Sequence, residues 1–264
     1  TVDLAANEHR AVLIRDLFDG HYQPDIESGV IRNANDVVGL VIFTNDPSKQ
    51  MSGILLKDTA TNTMYYPHDG TEDGWGTGIV AYNPSDANFD ITITPYTEAG
   101  IALTPVTDTI KSREHYIGLI GREIVMPVGT AWIMIEAENP ITGFELFAGQ
   151  NQLAGYTGVG ITGKKGIFAK IDQDGWTDIF FVNTEGAIAT VILRAYNDGG
   201  TVIATENITL NAHEKIADTP ETIFAGDISN ATYITYSSNR EIAGFQLNGS
   251  SDEMMLDALP GLVY

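Results

Sequence analysis

The chain has 264 residues, with 14 lysines and arginines against 35 aspartates and glutamates, so its formal net charge is −21. This charge argues against a nucleic-acid partner, because phosphate binding requires a basic face. It also argues against docking on an anionic membrane surface. The absence of cysteine excludes a disulfide framework, a thiolate metal site and a cysteine nucleophile. No apolar run approaches the roughly 18 residues of a membrane span, so no insertion is predicted.

Internal repetition divides the chain into three segments, at 1–60, 61–160 and 161–264. The second and third segments carry the same motifs in the same order. The matched motifs are Asp-Gly-Trp at 73–75 and 174–176, Asn at 83 and 183, Tyr at 96 and 196, and Gly-Phe-x-Leu at 143–146 and 244–247. Because several positions keep one spacing, we predict two copies of one structural unit.

The N-terminal segment carries motifs from only the second half of that unit. Residues 4–18 match 210–224, and Gly-Leu-Val-Ile at 39–42 takes the place of Gly-Phe-x-Leu. We therefore expect 1–60 to be a half-repeat, with one helical turn closing each of the two matching stretches. Since the chain begins at Thr1 rather than Met, we expect a processed terminus or a cut fragment.

Alternation of apolar and polar residues predicts β-strands. Residues 89–96 and 189–196 alternate at period two, which is typical of strands with one buried face. Glycine turns follow at 98–100 and 197–200, as hairpins require. Several short strands in a unit of about 100 residues predict a β-sandwich of immunoglobulin-like size. The predicted fold class is all-β, as tandem sandwich repeats with an N-terminal half-repeat, and the glycine-rich stretch at 158–166 is the predicted linker.

These motifs resemble the tandem β-sandwich repeats of large secreted or surface proteins of bacteria. The resemblance rests on Gly-Trp, on the Asn that follows it, on the Tyr before a glycine turn, and on Gly-Phe-x-Leu, and it covers nearly the whole chain. It implies a non-catalytic extracellular or cell-surface module. The first segment departs most, because Gly39–Ile42 lacks the Phe.

Aromatic residues offer two interpretations. Trp75 and Trp176 occupy the same place in both copies, so we expect core residues rather than sugar-stacking platforms. Tyr65, Tyr66 and Tyr156 lie outside the motifs and are expected to be exposed. They are the candidate ligand-binding residues for a glycan.

An acidic turn is the candidate metal site. Asp172, Asp174 and Asp178 surround a Gly turn, and a corresponding acidic cluster spans 69–73. Calcium prefers several oxygen ligands from a flexible loop, although the terminal Glu of an EF-hand is missing. The alternative is an ordinary solvated turn. We therefore expect no cofactor, with calcium as the alternative.

No catalytic constellation is recognisable. The five histidines form no His-Glu-x-x-His pair, and neither a Gly-x-Ser-x-Gly elbow nor a phosphate-binding loop is present. We therefore expect a structural or adhesive surface protein, not an enzyme. The alternative is a carbohydrate-binding module assisted by calcium.

The half-repeat is expected to leave an unpaired strand edge that seeks a partner. The missing half lies upstream, the stretch at 64–103 closes back on the edge, or a neighbouring subunit supplies strands. We favour the last over a cut fragment, because we interpret Thr1 as a processed mature terminus. A head-to-tail contact of that kind propagates as a fibre unless it closes into a ring. The candidate assembly residues are Val2, Leu4, Leu13, Leu40 and Ile42.

Overall fold

A computed structural model gives the structure of most of the chain. It describes residues 4–6, 8–18, 20–21, 28–32, 36–45, 50–57, 59–71, 75–149 and 152–264. Two compact units divide the chain, Thr1–Val38 and Gly39–Tyr264. Among the described residues, no helix has the length and apolar character needed to cross a membrane.

The first unit contains a single turn of 3₁₀ helix over Ile14–Phe18, with no buried residue. Before it, the backbone N–H of Ala5 donates to Glu8 Oε2 at 2.7 Å, and the N–H of Glu8 donates back to the Ala5 carbonyl at 3.0 Å. The predicted helical turn at this point of the chain is confirmed. Its counterpart in the second unit is a helix, α1, over Pro220–Phe224.

The second unit is built from strands and that one short helix. The strands are β1 Leu40–Asn45, β2 Gln50–Leu55, β3 Thr61–Tyr66, β4 Trp75–Tyr82, β5 Phe89–Tyr96, β6 Val106–Ile110, β7 His115–Leu119, β8 Trp132–Gly149, β9 Gln152–Thr157, β10 Gly163–Phe168, β11 Trp176–Asn183, β12 Ala189–Tyr196, β13 Val202–Leu210, β14 Lys215–Asp218, β15 Tyr233–Gly249, β16 Leu256–Pro260 and β17 Leu262–Val263. The all-β prediction is therefore confirmed for the described part of the chain.

Strand β8 organises a first sandwich, formed by β3 to β9. Its N-terminal half lies between β5 and β3, and β6 extends that layer beyond β5. Its C-terminal half lies between β4 and β9, and β7 extends that layer beyond β4. One long strand therefore contributes to both layers.

Strand β15 organises a second sandwich in the same way, formed by β10 to β17. Its N-terminal half lies between β12 and β10, flanked by β13 and β17. Its C-terminal half lies between β11 and β16, and β14 lies beyond β11. The third sheet is the hairpin β1–β2, which belongs to the second unit and not to the first 38 residues.

Each sandwich has its own core between its two layers. In the first, buried positions alternate along β5 and meet the inward residues of β3, β4 and β8. In the second, the same alternation along β12 meets β10, β11 and β15. The inward faces of β5 and β12 are Phe89, Ile91 and Ile93, and Ala189, Val191, Leu193 and Ala195. Period-two patterning thus gave the correct buried faces.

The repeated Asn residues fix equivalent turns. Both are fully buried. The side-chain amide of Asn83 donates to the carbonyls of Ala87 at 2.8 Å and Lys111 at 3.0 Å. That of Asn183 donates to Ala187 at 2.7 Å and Asn211 at 2.8 Å. These bonds satisfy backbone carbonyls that the strand ladder leaves open, which explains why both copies carry Asn here.

Two local expectations differ from the structure. The tryptophans are only half-buried, because each ring lies over a glycine of the neighbouring strand, Trp75 over Gly149 and Trp176 over Gly249. They do not fill the space between the layers. The predicted linker at 158–166 is also structured, since Val159 pairs with the strand β3 and β10 begins at Gly163.

Equivalent phenylalanines allow a direct test of this burial. Phe245 is fully buried whereas Phe144, at the matching place beside β4, is half-buried. We expect Phe245→Ala to lower the free energy of unfolding by about 3–5 kcal/mol, as for other buried Phe residues. Phe144→Ala should cost clearly less, because part of its ring is already in water. Equal losses in urea titrations would contradict the difference in packing.

Candidate functional site

The two sandwiches meet in an apolar interface that is separate from either core. On β11, Ile179 and Phe181 point into the second core, while Phe180 and Val182 point outward. Phe180 lies 4.7 Å, centroid to centroid, from Phe245 on β15. This outward face packs on one end of the first sandwich. We call the contact region the sandwich interface.

The end of the first sandwich supplies a matching set of aromatic rings. The Phe245 ring stacks on Phe147 at 5.4 Å and on Tyr156 at 4.5 Å, with interplanar angles of 4° and 6°. Val159 and Ala154 complete this side of the interface. Stacked rings of this kind add to the free energy already gained by burying their area.

A Lys–His contact lies within this apolar setting. Lys215, on β14 of the second sandwich, approaches Nδ1 of His68 in the first sandwich with its Nζ at 2.9 Å and donates to the Ala131 carbonyl at 2.8 Å. The His68 ring stacks on Phe180 at 4.2 Å. Burial, and then the Lys215 charge, lowers the pKa of His68 well below its ordinary value. A lysine ammonium only donates, so Nδ1 of the neutral ring accepts.

A buried carboxyl lies at the same end of the first sandwich, on the side that faces the core of that sandwich. Glu145 is fully buried between β4 and β9 and accepts a 2.5 Å hydrogen bond from the Tyr156 hydroxyl. Burial raises the pKa of Glu145 well above its ordinary value, and Asp69 raises it further, while Tyr156 and Lys215 oppose the shift. Among the described residues, its Oε1 has no hydrogen-bond partner.

The matching residue of the second sandwich is a neutral amide. Gln246 faces Ile179 across the strand pair, as Glu145 faces Ile79. Its side chain bonds the backbone of Lys170 through both Oε1 and Nε2. A protonated Glu145 carboxyl, like an amide, is uncharged and carries both a donor and an acceptor, and burial at this position favours that uncharged form.

A loop of the second sandwich covers the other part of this end. The Trp132 indole stacks on Tyr96 at 4.1 Å and donates to the His213 carbonyl at 3.1 Å. Gly100 has a φ of 79°, and a Cβ at this position would collide with the Ala212 carbonyl oxygen. Glycine is therefore required twice, for its conformation and for the close approach.

The three terminal hairpins form a regular series. In the hairpins β1–β2, β8–β9 and β15–β16, a glycine directly precedes the segment of the first strand that pairs with the second, at Gly39, Gly143 and Gly244. The Gln50 amide donates to the Gln152 carbonyl at 2.9 Å, and the Gln152 amide donates to the Met255 carbonyl at 2.9 Å. The same side-chain contact thus joins β2 to β9 and β9 to β16.

Two shallow grooves run along β14. One has a volume of about 300 Å³ and the other about 290 Å³. Asp178 lines the first groove together with His68 and Asp218. Burial, followed by the charges of Asp218 and Glu221, raises the pKa of Asp178. The grooves give water access to the edge of the sandwich interface.

The tyrosines proposed as a glycan site are less exposed than we expected from the sequence. Tyr66 and Tyr156 are buried, and their rings lie within the first core and the sandwich interface. Tyr65 is half-buried and packs 6.5 Å from Trp132. The expectation of exposure was wrong for Tyr66, which belongs to the core of the first sandwich, and for Tyr156, which is covered by Phe245 of the second sandwich.

The proposed calcium ligands occupy different surroundings. Asp172 forms a 2.9 Å ion pair with Lys170 and accepts from the Asp174 backbone N–H at 3.1 Å, whereas Asp178 faces the groove. No group of three His, Asp or Glu suited to a metal ion occurs in the part of the chain that the structure describes. In the corresponding cluster, Glu72 and Asp73 lie outside the described residues. Calcium binding stays a prediction.

The proposed assembly residues are placed in two separate units. In the first, Leu4 and Leu13 are exposed, and Val2 lies outside the described residues. In the second, Leu40 and Ile42 on β1 are 53% and 60% exposed. All four described side chains are apolar and reachable from solvent.

Sequence reasoning missed His68, Glu145 and Lys215. Single charged residues in an acidic chain carry no spacing signal, and His68 forms no metal-binding pair with another histidine. The one usable signal was the mismatch between Glu145 and Gln246 within an otherwise matched motif.

Comparisons with models of protein families, with curated proteins and with solved structures found no match to this chain.

The raised pKa of Glu145 gives a pH test. A group with a raised folded-state pKa contributes its stability fully below the unfolded-state pKa and loses it as pH rises toward the folded value. We expect Glu145→Gln to be more stable than the natural chain at pH 8, with the difference shrinking toward pH 4.5. The readout is the midpoint of urea unfolding across that range.

The reverse substitution is the matched control. Gln246→Glu should lose stability as pH rises, while the contribution of His68 is common to all variants and cancels in the comparison. Parallel pH profiles for the natural chain and Glu145→Gln would show that Glu145 is ionised in the folded state.

Two equivalent glycines test the loop contact. Gly100 and Gly200 have φ values of 79° and 75°, but the space beside Gly200 is open. Alanine at either position pays for a left-handed conformation, about 1–2 kcal/mol. Gly100→Ala should therefore lower the unfolding free energy more than Gly200→Ala. Similar losses of unfolding free energy in the two variants would mean that the loop near Ala212 moves away from the added Cβ without a measurable cost.

Proposed function

We propose that this chain is a non-catalytic structural or adhesive module of the extracellular space or cell surface. It consists of tandem sandwich repeats of immunoglobulin-like size, and it assembles head to tail into a fibre by strand complementation. The observation that carries the proposal is the regular series of hairpins, in which β2, β9 and β16 follow one another through the same glutamine contact.

Matched strand registers support the repeat. Val80 lies opposite Phe144, and Phe180 lies opposite Phe245. The outer strands β7 and β14 occupy the same place beside β4 and β11. Repetition of one unit with a constant neighbour contact is how solenoid-like proteins gain length, since each unit adds an interface of its own.

The nature of the sandwich interface supports a mechanical role. Its buried rings, the Lys215 contact with the Ala131 carbonyl and the Trp132 contact with the His213 carbonyl fix one unit against the next. A large apolar contact with directional hydrogen bonds favours a fixed orientation over free hinge motion. In this proposal the buried polar groups hold the two units in place and perform no chemistry.

A glycan-binding role is the second candidate, and one observation favours it. Tyr196 and Tyr233 are half-buried and stack at 5.0 Å with an interplanar angle of 2°. They match the Tyr96–Trp132 pair, which the loop at His213 covers. Aromatic faces left open in this way suit the apolar face of a sugar ring.

Assembly is the test of the main proposal. At high protein concentration we expect the chain to form polymers, visible by sedimentation velocity and electron microscopy. Deleting residues 1–12 should shorten or abolish them while the melting temperature of the sandwiches is kept. A chain that stays monomeric, with its N-terminal segment protected from proteolysis, would contradict the fibre.

The glycan alternative predicts a different result. Saturable binding to a polysaccharide that is lost in Tyr233→Ala, in a chain that does not polymerise, would favour the binding module instead.

A further inference from the structure

We propose that the edge of β1 that carries no described strand is a strand-binding slot, and that its occupant is an extended segment of the β4 and β11 type carried by a neighbouring module. This inference rests on the proposed structural function and names the strand that would complete the half-repeat.

The pairing of the three hairpins defines the slot. The C-terminal half of β8 has β9 on one side and β4 on the other. The C-terminal half of β15 has β16 on one side and β11 on the other. Within the described part of the chain, β1 pairs with β2 alone. The position beside β1 that corresponds to β4 and β11 thus has no described strand.

A glycine marks this position in all three hairpins. A Cβ on Gly143 would collide with the Val80 carbonyl oxygen of β4, and one on Gly244 would press on the Phe180 carbonyl oxygen of β11. In both sandwiches the glycine therefore makes room for the third strand. Gly39 occupies the same place before β1. The atoms nearest to a Cβ on Gly39 would be those of the Leu56 side chain, which directly follows β2. The strand-binding slot therefore has a glycine at the position where a third strand would approach closely.

Exposed apolar side chains show what the occupant would cover. Phe245 and Leu247 of β15 are buried between β11 and the aromatic rings of the first sandwich, whereas the matching Leu40 and Ile42 of β1 are 53% and 60% exposed. An exposed edge with apolar side chains is unfavourable in water and pairs readily with another strand. Strand addition satisfies the backbone groups and buries these side chains together.

The chemistry of the occupant follows from the two strands that fill the equivalent places. Both contain four consecutive apolar residues, at 79–82 in β4 and at 179–182 in β11, because both of their faces are buried. In each sandwich the pairing is antiparallel and the second of the four lies opposite the residue after the glycine. The occupant should therefore place its second apolar residue opposite Leu40.

The corresponding hairpin of the second sandwich is more polar than that of the first. The places of Phe147 and Ala154 in the first sandwich are taken by Asn248 and Asp257 in the second. Asn248 is buried, and its Oδ1 accepts from the Thr177 hydroxyl at 2.8 Å, while its Nδ2 has no hydrogen-bond partner among the described residues. Since an exposed apolar edge favours pairing with another strand, the β1 edge is the favoured point of attachment for an apolar strand.

The experiment uses the full chain and a labelled synthetic peptide that covers residues 174–184. We expect saturable binding, followed by fluorescence anisotropy. Ile42→Asp should weaken binding by about tenfold or more, because a carboxylate would have to leave water. Met51→Asp is the matched control, since Met51 lies on β2 and is 64% exposed, and it should leave binding unchanged.

Register is tested by disulfide cross-linking, because the chain has no cysteine of its own. Leu40→Cys should link to the peptide carrying Cys in place of Phe180, and not to the one carrying Cys in place of Thr177. Equal linking to both peptides would mean unspecific adhesion and would overturn the proposal.

Two further results separate this inference from the proposed function. Polymers that form while the peptide does not bind would refute the slot and leave the structural role standing. A dimer of β1 against β1, seen by sedimentation and not dissociated by the peptide, would make a second copy the occupant and overturn the proposal.

Discussion

The burial of β11 on both faces is the constraint on which the second unit depends. A strand with one wet face alternates apolar and polar residues, but a strand covered on both sides must be continuously apolar. Ile179 and Phe181 serve the second core, and Phe180 and Val182 serve the sandwich interface. A polar substitution on the outward face of β11 would therefore destabilise the sandwich interface and not either core.

The apolar sandwich interface contains polar groups, and it accommodates them in two different ways. His68 remains neutral because burial and the Lys215 charge lower its pKa. Lys215 meets the His68 ring and the Ala131 carbonyl, which offsets part of the cost of removing an ammonium from water. At Glu145 burial works in the opposite direction and favours the protonated acid. In both cases the uncharged form is favoured by burial. The stability of the sandwich interface therefore depends on pH, through two side chains that sequence patterns do not reveal.

The sequence was informative about strands and much less so about their environment. Alternation along 89–96 and 189–196 predicted the inward faces correctly, because a core between two layers is a local property of each unit. The burial of Tyr156 was not predictable, since it arises from contact with Phe245 of the other sandwich. The half-burial of Trp75 depends on Gly149, which only the strand register brings beneath the ring. Contacts between units leave no periodic signal within either unit.

The two ends of the second unit differ in a way that follows from the same packing rule. An interface between repeats needs an apolar receiving end, and the first sandwich supplies one through Phe147 and Tyr156. At the matching place the second sandwich has the polar residue Asn248, whose Oδ1 accepts from the Thr177 hydroxyl while its Nδ2 has no hydrogen-bond partner among the described residues. The hairpin β1–β2 shows the reverse, because Leu40 and Ile42 are apolar and exposed. Since uncovered apolar strands favour association, the edge of β1 is the part of this unit on which the proposed assembly depends.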